Sequence, residues 1–332
     1  MTASPTLDDG QVTELVGEAV AAPSMHNAQP WRFRYSRGNR TFRLYADPER
    51  VMPHSDPDGR ALHIGCGAAL FNLRVALATA GFQSDVALLP ASQDTALLAL
   101  VHTAPSDDGE DIGLRLLGSA IHQRHTSRYP FAEKAIPENA RTALVDAAHR
   151  EGAVLSFPES WQSRWVEELV EEAEARNLTD QGSEQDLAQW TRIGAGEADT
   201  ATDGVPEYAF GPRKHGGRAP MRDFSGGKPV ADRGTTPFED EPHLAVLSTD
   251  GDEPLHWLRA GQAMQRVLLL ATLKGLATSF STQALEWPDL RWPLRDPLTG
   301  TGQVQMILRI GYGPQGPATP RRPVSDVLVL ED

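Results

Sequence analysis

The chain has 332 residues, enough for one large domain or two modest ones, and 40% of them are hydrophobic, which suffices for a buried core. Its 31 basic and 45 acidic residues give a formal net charge of −14, so the surface would repel nucleic acid. Cys66 is the only cysteine, which excludes an intramolecular disulfide and a cysteine-based zinc site. The first ten residues do not resemble a secretion signal, and no apolar run reaches about 18 residues. We therefore expect a cytoplasmic protein with no membrane span.

The first half of the chain predicts an alternation of helices and strands. Residues 10–21 have one apolar face and predict a helix that ends at Pro23. Residues 31–36 and 41–46 alternate about a Gly-Asn pair and predict a hairpin. Residues 61–81 are apolar on nearly every side, which predicts a buried helix. Further elements are predicted as strands at 84–90, 96–103 and 153–157 and helices at 112–124, 136–152 and 159–177.

Residues 178–240 differ from the rest in composition. They are rich in Gly, Pro, Asp and Thr and show no sustained periodicity, so two interpretations stay open, a lid over a site and a disordered surface insert. Regular patterns then return, and the Pro-rich, later apolar tail at 317–330 predicts an arm that lies on another surface. Between residues 178–240 and this tail, the sequence predicts a strand at 243–249, a helix at 254–275, a β-like segment at 278–283 and a strand at 303–313.

The two most apolar helices resemble each other. When residues 67–82 are aligned with residues 261–276, Gly67 falls on Gly261, and several apolar positions also match. Two buried helices can look alike through composition alone, and a duplicated unit would give the same pattern. Both explanations stay open at this level.

Two basic clusters stand out in an acidic chain. Arg124, His125, Thr126 and Arg128 lie at or beyond a predicted helix end, where guanidinium groups can bind phosphate or merely complement the helix dipole. The adjacent arginines at 321–322 lie between prolines in extended backbone, so they point to different sides. One of the pair could bind a phosphate, and the alternative is an ordinary basic tail.

Other patterns indicate neither a metal site nor a nucleotide motif. His122 and His125 have no further ligands at a recognisable spacing, so no metal is expected. The Gly-x-Gly at 65–67 lies within a predicted helix, which does not fit a dinucleotide-binding turn. Residues 225–229, Ser-Gly-Gly-Lys-Pro, lack the spacing of a P-loop.

Three motifs together resemble the nitroreductase superfamily of FMN flavoproteins. They are the Pro-Ser-Met-His-Asn-Ala-Gln-Pro-Trp turn at 23–31, the Arg-His-Thr-Ser-Arg segment at 124–128, and the arginines at 321–322 after an Ile-Gly-Tyr strand. In ordinary members the basic segment precedes the turn, whereas here it follows by about a hundred residues. That order is similar to the Acg-like subgroup, in which two nitroreductase half-units are fused in one chain.

The resemblance implies an α+β nitroreductase fold, a pseudo-dimer with mixed central sheets packed by buried helices. The first half would span residues 1–108. The second would span residues 109–332 and include the lid-like insert at about 178–240. One complete flavin site per chain is implied, as a monomer or a homodimer of such chains.

The resemblance also assigns roles to the later basic residues. Arg124 would contact the FMN phosphate or ribityl chain, with His125 and Thr126 beside it. Arg128 would lie at the pyrimidine edge, where a cation favours the anionic reduced ring. Arg321 or Arg322 would pair with the phosphate, with a slight preference for Arg322.

The remaining predicted contacts surround the isoalloxazine ring. Ser24, Met25 and Asn27 would line it from the opposite half, where the Asn27 amide can both donate and accept at the polar ring edge. Residues 281–283 (Ser281, Thr282 and Gln283) would approach flavin N5, although the acidic-plus-glycine pattern of the family is missing there.

Whether the chain is an enzyme is left open. As a reductase, it would pass hydride from NADH or NADPH to flavin N5 and then electrons to a planar nitroaromatic or quinone-type acceptor. The cofactor carries that chemistry, so no catalytic side chain is assigned. The alternatives are an FMN sequestration or storage protein, with a lid that leaves no room for nicotinamide, and a degenerate scaffold without flavin.

Overall fold

The structure, a computed structural model, describes residues 7–106, 112–295 and 302–332. The helices are α1 (Asp9–Val20), α2 (Arg60–Thr79), α3 (Ile112–Arg115), α4 (Glu138–His149), α5 (Ser160–Asn177), α6 (Gln181–Gln189), α7 (Ala195–Thr200), α8 (Pro254–Leu273), α9 (Pro288–Arg291) and α10 (Val324–Val327). The strands are β1 (Trp31–Ser36), β2 (Thr41–Ala46), β3 (Phe82–Leu88), β4 (Leu97–Pro105), β5 (Val154–Ser156), β6 (Thr191–Arg192), β7 (Val205–Pro206), β8 (Arg213–Lys214), β9 (Thr235–Thr236), β10 (Leu244–Thr249), β11 (Ala277–Phe280), β12 (Gln303–Gly311) and β13 (Leu328–Glu331).

Two main sheets organise the chain, so the predicted α+β class is confirmed. The first has the order β13-β1-β2-β4-β3, with β13 parallel to β1 and the other pairs antiparallel. The second has the order β11-β12-β10-β5 and is antiparallel. Because β13 comes from the end of the chain and pairs with β1, the predicted arm is confirmed as an added edge strand.

Helices α2 and α8 cross at the centre of the fold, where two glycines allow their backbones to touch. A Cβ atom at Gly67 would lie 2.3 Å from the Leu258 carbonyl oxygen, and one at Gly261 would lie 2.1 Å from the Ile64 carbonyl oxygen. Each glycine thus meets the residue three positions before the other, as expected for an approximate two-fold axis. The glycines that the sequence aligns are therefore equivalent in space.

Helix α2 is long and apolar enough to cross a membrane by length and composition, yet 83% of its most apolar window is buried inside the fold. Alanine, leucine and glycine dominate this window, and the helix packs on α1, α8 and the first sheet. It is a core helix of the kind that the sequence predicts at 61–81.

Most predicted elements match the structure, and the hairpin strands agree in both bounds. The predicted helix at 112–124 is wrong, because only α3 and a short 3-10 turn at Gly118–Ala120 form there. Glycine is a poor helix former, and Gly118 packs against the Thr79 side chain, where a Cβ would lie 2.6 Å from Oγ1.

Residues 178–240, hereafter the insert, carry more structure than their composition indicates. Helices α6 and α7 and two short strand pairs lie within this segment. Asp186 binds the insert to the loop before α2 by accepting hydrogen bonds from the His54 and Ser55 backbone NH groups, at 3.0 and 2.7 Å. Its apolar side chains also form a small cluster of Val205, Ala209, Phe210 and Phe224.

Candidate functional site

A cavity of about 1200 Å³, including the space at its mouth, lies where the early turn, the 124–128 segment, the insert and the tail meet. It is somewhat larger than the ~300–1,000 Å³ of most ligand pockets. Ten of the twelve site residues predicted from the sequence line it, namely Ser24, Met25, Asn27, Arg124, His125, Thr126, Arg128, Thr282, Gln283 and Arg321.

The turn at 24–29 is held in a strained conformation. His26, Asn27 and Gln29 have φ angles of 47°, 56° and 55°, in the left-handed region that residues with side chains rarely occupy. The Ser24 hydroxyl closes the turn by accepting a 2.8 Å hydrogen bond from the Gln29 backbone NH. Strained backbone of this kind persists where surrounding structure enforces it, commonly at ligand sites.

Asn27 joins three parts of the chain. Its Nδ2 donates to the carbonyl oxygens of Gly204 in the insert (2.9 Å) and Pro320 in the tail (3.0 Å). Its Oδ1 accepts from Arg321 Nη1 at 2.9 Å. Because both amide hydrogens are already used, the predicted donation from Asn27 to the flavin edge is not supported by this geometry. The residue instead holds the turn, the insert and the tail together.

The 124–128 segment is positioned by β11 and by the chain that follows β12. Thr126 forms an isolated parallel bridge with Thr278, and the Ser127 NH donates to the Thr278 carbonyl oxygen at 2.8 Å. The Ser127 hydroxyl donates to the Pro314 carbonyl oxygen at 2.7 Å. A Cβ at Gly316 would lie 1.9 Å from the Thr126 carbonyl oxygen, so only glycine allows this approach.

Arg124 and Arg321 converge on the end of α1, and we call this pair the phosphate end of the cavity after the role that the sequence predicts for it. Both donate to the Ala21 carbonyl oxygen, at 3.3 and 3.1 Å, and Arg321 also donates to the Val20 carbonyl oxygen at 2.8 Å. Burial lowers the pKa of Arg124 to about 10. Burial and the charge of Arg124 lower the pKa of Arg321 to about 9. Both therefore stay cationic at neutral pH.

Neither cation of the phosphate end has a carboxylate partner among the described residues. Arg124 is only 3% exposed, and its Nε and Nη1 atoms have no hydrogen-bond partner in the described part of the chain. An unpaired buried charge is costly unless an anion accompanies it. The arrangement is therefore suited to a bound anion.

Arg128, Arg222 and Phe224 line another part of the cavity, which we call the insert end. The partly buried Arg128 guanidinium lies 4.6 Å from the Phe224 ring centroid and donates to the Ala209 carbonyl oxygen at 2.9 Å. Burial, with the charge of Arg222, lowers the pKa of Arg128 to about 10. Arg222 is paired with Glu286, and burial raises the pKa of that carboxyl to about 7.

Two predicted residues lie outside the cavity. The Arg322 guanidinium turns to the buried Asp47 carboxylate at 3.2 Å, so the slight preference for Arg322 over Arg321 is not supported by its position. The Ser281 hydroxyl is buried and donates to the Pro220 carbonyl oxygen at 3.3 Å.

Several further lining residues were not predicted from the sequence, among them His26, Arg60, Met221, Arg222, Phe224 and Glu286. His26 lies within the turn at 23–31, between the predicted site residues Met25 and Asn27, and its place in the sequence could have indicated it as a lining residue. The insert was predicted as a possible lid, but its composition did not indicate which of its residues would line the cavity, because that depends on the fold.

No family model matches the sequence. A Mycobacterium tuberculosis (strain ATCC 25618 / H37Rv) protein with the provisional name NAD(P)H nitroreductase Rv3131 is 34% identical over 317 residues, which cover 93% of this chain and 88% of the relative. A second protein of that strain, provisionally named NAD(P)H nitroreductase acg, is 33% identical over 324 residues, or 93% and 92% of the two chains.

Solved structures similar to this chain include a Bacteroides fragilis nitroreductase with bound FMN, with a TM-score of 0.36, 15% identity and coverage of 62% of this chain and 92% of that one. A nitroreductase-like protein from Bacillus cereus has a TM-score of 0.36, 15% identity and coverage of 63% and 92%. On the strength of the two mycobacterial relatives, which match along nearly the whole sequence, the chain belongs to the nitroreductase superfamily, as its motifs predict.

Proposed function

We propose that the chain binds FMN in this cavity and is an NAD(P)H-dependent oxidoreductase that reduces a planar nitroaromatic or quinone-type acceptor. The observation that carries the proposal is the phosphate end, where the buried Arg124 and the partly buried Arg321 line the same cavity as the Asn27 turn. Neither has a carboxylate partner among the described residues. The names of the relatives, which include NAD(P)H nitroreductase, support the same activity.

The polar atoms of the cavity fit a flavin phosphate. A phosphate dianion would accept from the free Arg124 Nε and Nη1 atoms and offset the charge of both arginines of the phosphate end. Thr126 and His125 line the wall beside them. Gln283 Nε2, buried without a partner among the described residues, is a further donor that a ligand would satisfy.

The remaining residues would orient and tune the ring. FMN, when bound, supplies hydride transfer at N5 and electron transfer to an acceptor. Arg128 contributes a cation without a carboxylate partner in the described part of the chain, and such a charge favours negative charge on a neighbouring ring. Met25 and Met221 add polarisable apolar surface to the walls, and such side chains pack well on aromatic rings.

FMN sequestration is the second candidate, and the position of the insert favours it. Met221, Arg222 and Phe224 all line the cavity, and the buried Arg222–Glu286 pair anchors the insert there. A bound flavin covered in this way would be shielded from a nicotinamide ring. The same cofactor contacts would then serve storage and not turnover.

The organisation of the chain remains part of the proposal. We place the two half-units at 1–108 and 109–332, with the reciprocal glycine contact between α2 and α8 as support. A cytoplasmic monomer, or a homodimer of such pseudo-dimers, is consistent with this arrangement.

The experiment that separates the candidates begins with the flavin content of the purified protein. The FMN-loaded protein is then mixed anaerobically with excess NADH and, separately, NADPH, with free FMN as a control. Rapid bleaching of the flavin absorbance would exclude pure sequestration. A flavin that stays oxidised while the controls behave normally would exclude the reductase. A colourless protein that takes up no added FMN would overturn both.

A further inference from the structure

His26 is a cavity-lining residue with no assigned role. It is only 8% exposed, and its Nε2 atom has no hydrogen-bond partner in the described ranges. Its backbone is left-handed, with φ 47° and ψ 24°. A buried polar atom without a partner and a non-glycine residue in this conformation are both unfavourable, and such features concentrate at functional sites.

The two histidines that line the cavity, His26 and His125, lie near different groups of arginines. Burial and the positive charges of the phosphate end lower the pKa of His125. Burial and the charges of the two arginines of the insert end hold the pKa of His26 well below its ordinary range. The His26 ring also meets the Phe224 ring edge-on, with the centroids 5.7 Å apart. His26 therefore lies against Phe224 of the insert.

The chemistry of this corner selects the kind of group that can bind. An imidazole that stays neutral carries one N–H donor and one acceptor nitrogen. The charge of Arg222 is offset by Glu286, but Arg128 lies 4.6 Å from the Phe224 ring centroid and has no carboxylate partner among the described residues. Its guanidinium group disfavours a cationic ligand and favours oxygen atoms that bear partial or full negative charge. Phe224 lines the cavity beside His26 and stacks on Phe210, so a planar ring can meet only the part of the Phe224 ring that faces the cavity.

We propose that His26 is a specificity-determining residue whose Nε2 binds an oxygen substituent of an aromatic ligand packed against Phe224. The ligand class is an aromatic ring with a carboxylate, nitro or carbonyl oxygen, and aromatic ammonium compounds are excluded. This inference rests on the proposed function, because that ligand would be the electron acceptor beside the flavin.

The test uses benzoate as a probe that cannot be reduced, with benzylammonium as its cationic counterpart. Both are titrated into the full chain, with and without FMN, and the ¹⁵N chemical shifts of the histidine side chains are recorded. We expect benzoate to shift the His26 Nε2 resonance in the wild-type protein, and benzylammonium to leave it unchanged. A His26 resonance that does not respond to benzoate overturns the inference, whether or not FMN binds.

The matched variant is His26→Asn, because asparagine tolerates the left-handed backbone that this position requires. The benzoate Kd should rise about fivefold to tenfold, the loss of one hydrogen bond, while FMN affinity stays within about twofold. The exposed His102→Gln serves as control and should leave both affinities unchanged. Unchanged benzoate binding in His26→Asn overturns the proposal. Weakened FMN binding with unchanged benzoate binding also overturns it, since His26 would then be a cofactor ligand.

The flavin content of the wild-type protein keeps this inference separate from the proposed function. A protein without FMN whose His26 resonance still responds to benzoate would contradict the proposed cofactor and support the aromatic subsite. A protein with FMN whose His26 resonance does not respond to benzoate would support the proposed cofactor and contradict the aromatic subsite.

Discussion

Two sets of buried arginines in this molecule differ in their counterions. Arg309 has no exposed surface, and its Nη2 donates to Glu239 Oε2 at 3.0 Å while the guanidinium lies 3.8 Å from the Phe131 ring centroid. Among the described residues, the almost equally buried Arg124 meets only backbone carbonyl oxygen. The partly buried Arg321 meets carbonyl groups and neutral side chains. The chain supplies the anion in the first case and leaves it to a ligand in the second.

The difference shows which cations serve stability and which serve binding. Breaking a buried ion pair leaves one charge without compensation and is strongly destabilising. Removing a cation that has no counterion takes away an unfavourable term from the ligand-free protein. Substitution should therefore lower mainly stability in the paired set and mainly ligand affinity in the unpaired set, and the following experiments use that contrast.

The largest effect is expected from Arg124→Ala with Arg321→Ala. Each charge-assisted bond to phosphate contributes about 1.5–3 kcal/mol, so FMN affinity should fall by about 3–6 kcal/mol, on the order of 10²–10⁴-fold. The ligand-free double variant should lose less unfolding free energy than a broken buried ion pair, because the hydrogen bonds of Arg321 to Val20, Ala21 and Asn27 are lost together with two uncompensated charges. Fluorescence titration and thermal unfolding measure the two quantities. An FMN affinity within about threefold of wild type would contradict the phosphate assignment.

In the paired set, substitution should lower mainly the unfolding free energy. Glu239→Gln leaves Arg309 buried without its carboxylate and should cost about 3–5 kcal/mol of unfolding free energy. Urea unfolding of the ligand-free proteins measures this loss. Replacing both partners, with Glu239→Leu and Arg309→Met, should recover much of it. If Glu239→Gln is as stable as wild type, the contrast between the sets fails.

Arg322→Ala tests the two adjacent arginines against each other. The side chain is bound to Asp47, so its loss should leave FMN affinity within about threefold. The unfolding free energy should fall by only about 0.5–1.5 kcal/mol, the contribution of one hydrogen bond, because Asp47 keeps its pair with Arg32 at 2.9 Å. FMN titration beside Arg321→Ala makes the comparison direct. A large loss of FMN affinity in Arg322→Ala would restore the preference indicated by the sequence.

The smallest effect concerns a second paired arginine. Burial alone would raise the pKa of Asp252, but hydrogen bonds from Arg291 and Trp257 prevail and lower it from 3.8 to about 2. A depressed pKa contributes stability above pH ~4 that is lost as the pH falls toward 2. Because the carboxylate is partly exposed, we expect less than about 1 kcal/mol. Unfolding of Asp252→Asn between pH 6 and 2 should show a flatter pH dependence than the wild type, and parallel curves would contradict this prediction.

Local patterns predicted the elements whose signal lies in neighbouring residues. The alternation at 31–36 and 41–46 gave correct strand bounds, and the all-apolar helix at 61–81 is the core helix α2. The pattern at 112–124 failed, because its apolar spacing looks helical while Gly118 must fit against Thr79, a contact that periodicity does not contain.

In the candidate site too, local motifs predict some residues, while others depend on contacts that are distant along the chain. Arg124 and Arg128 lie in a contiguous basic motif, so the sequence indicated them. The choice between Arg321 and Arg322 depends on where Asp47 lies, and that carboxylate is far away along the chain. Phe224 could not be found, because the insert reaches the cavity only through long-range contacts such as that of Asn27 with Gly204.

The most direct test of the central claim is a calorimetric titration of the ligand-free protein with FMN and, separately, with riboflavin, which has the same ring and no phosphate. If the unpaired arginines hold the phosphate, FMN should bind at least about 100-fold more tightly than riboflavin. Equal affinities for the two flavins would contradict the account.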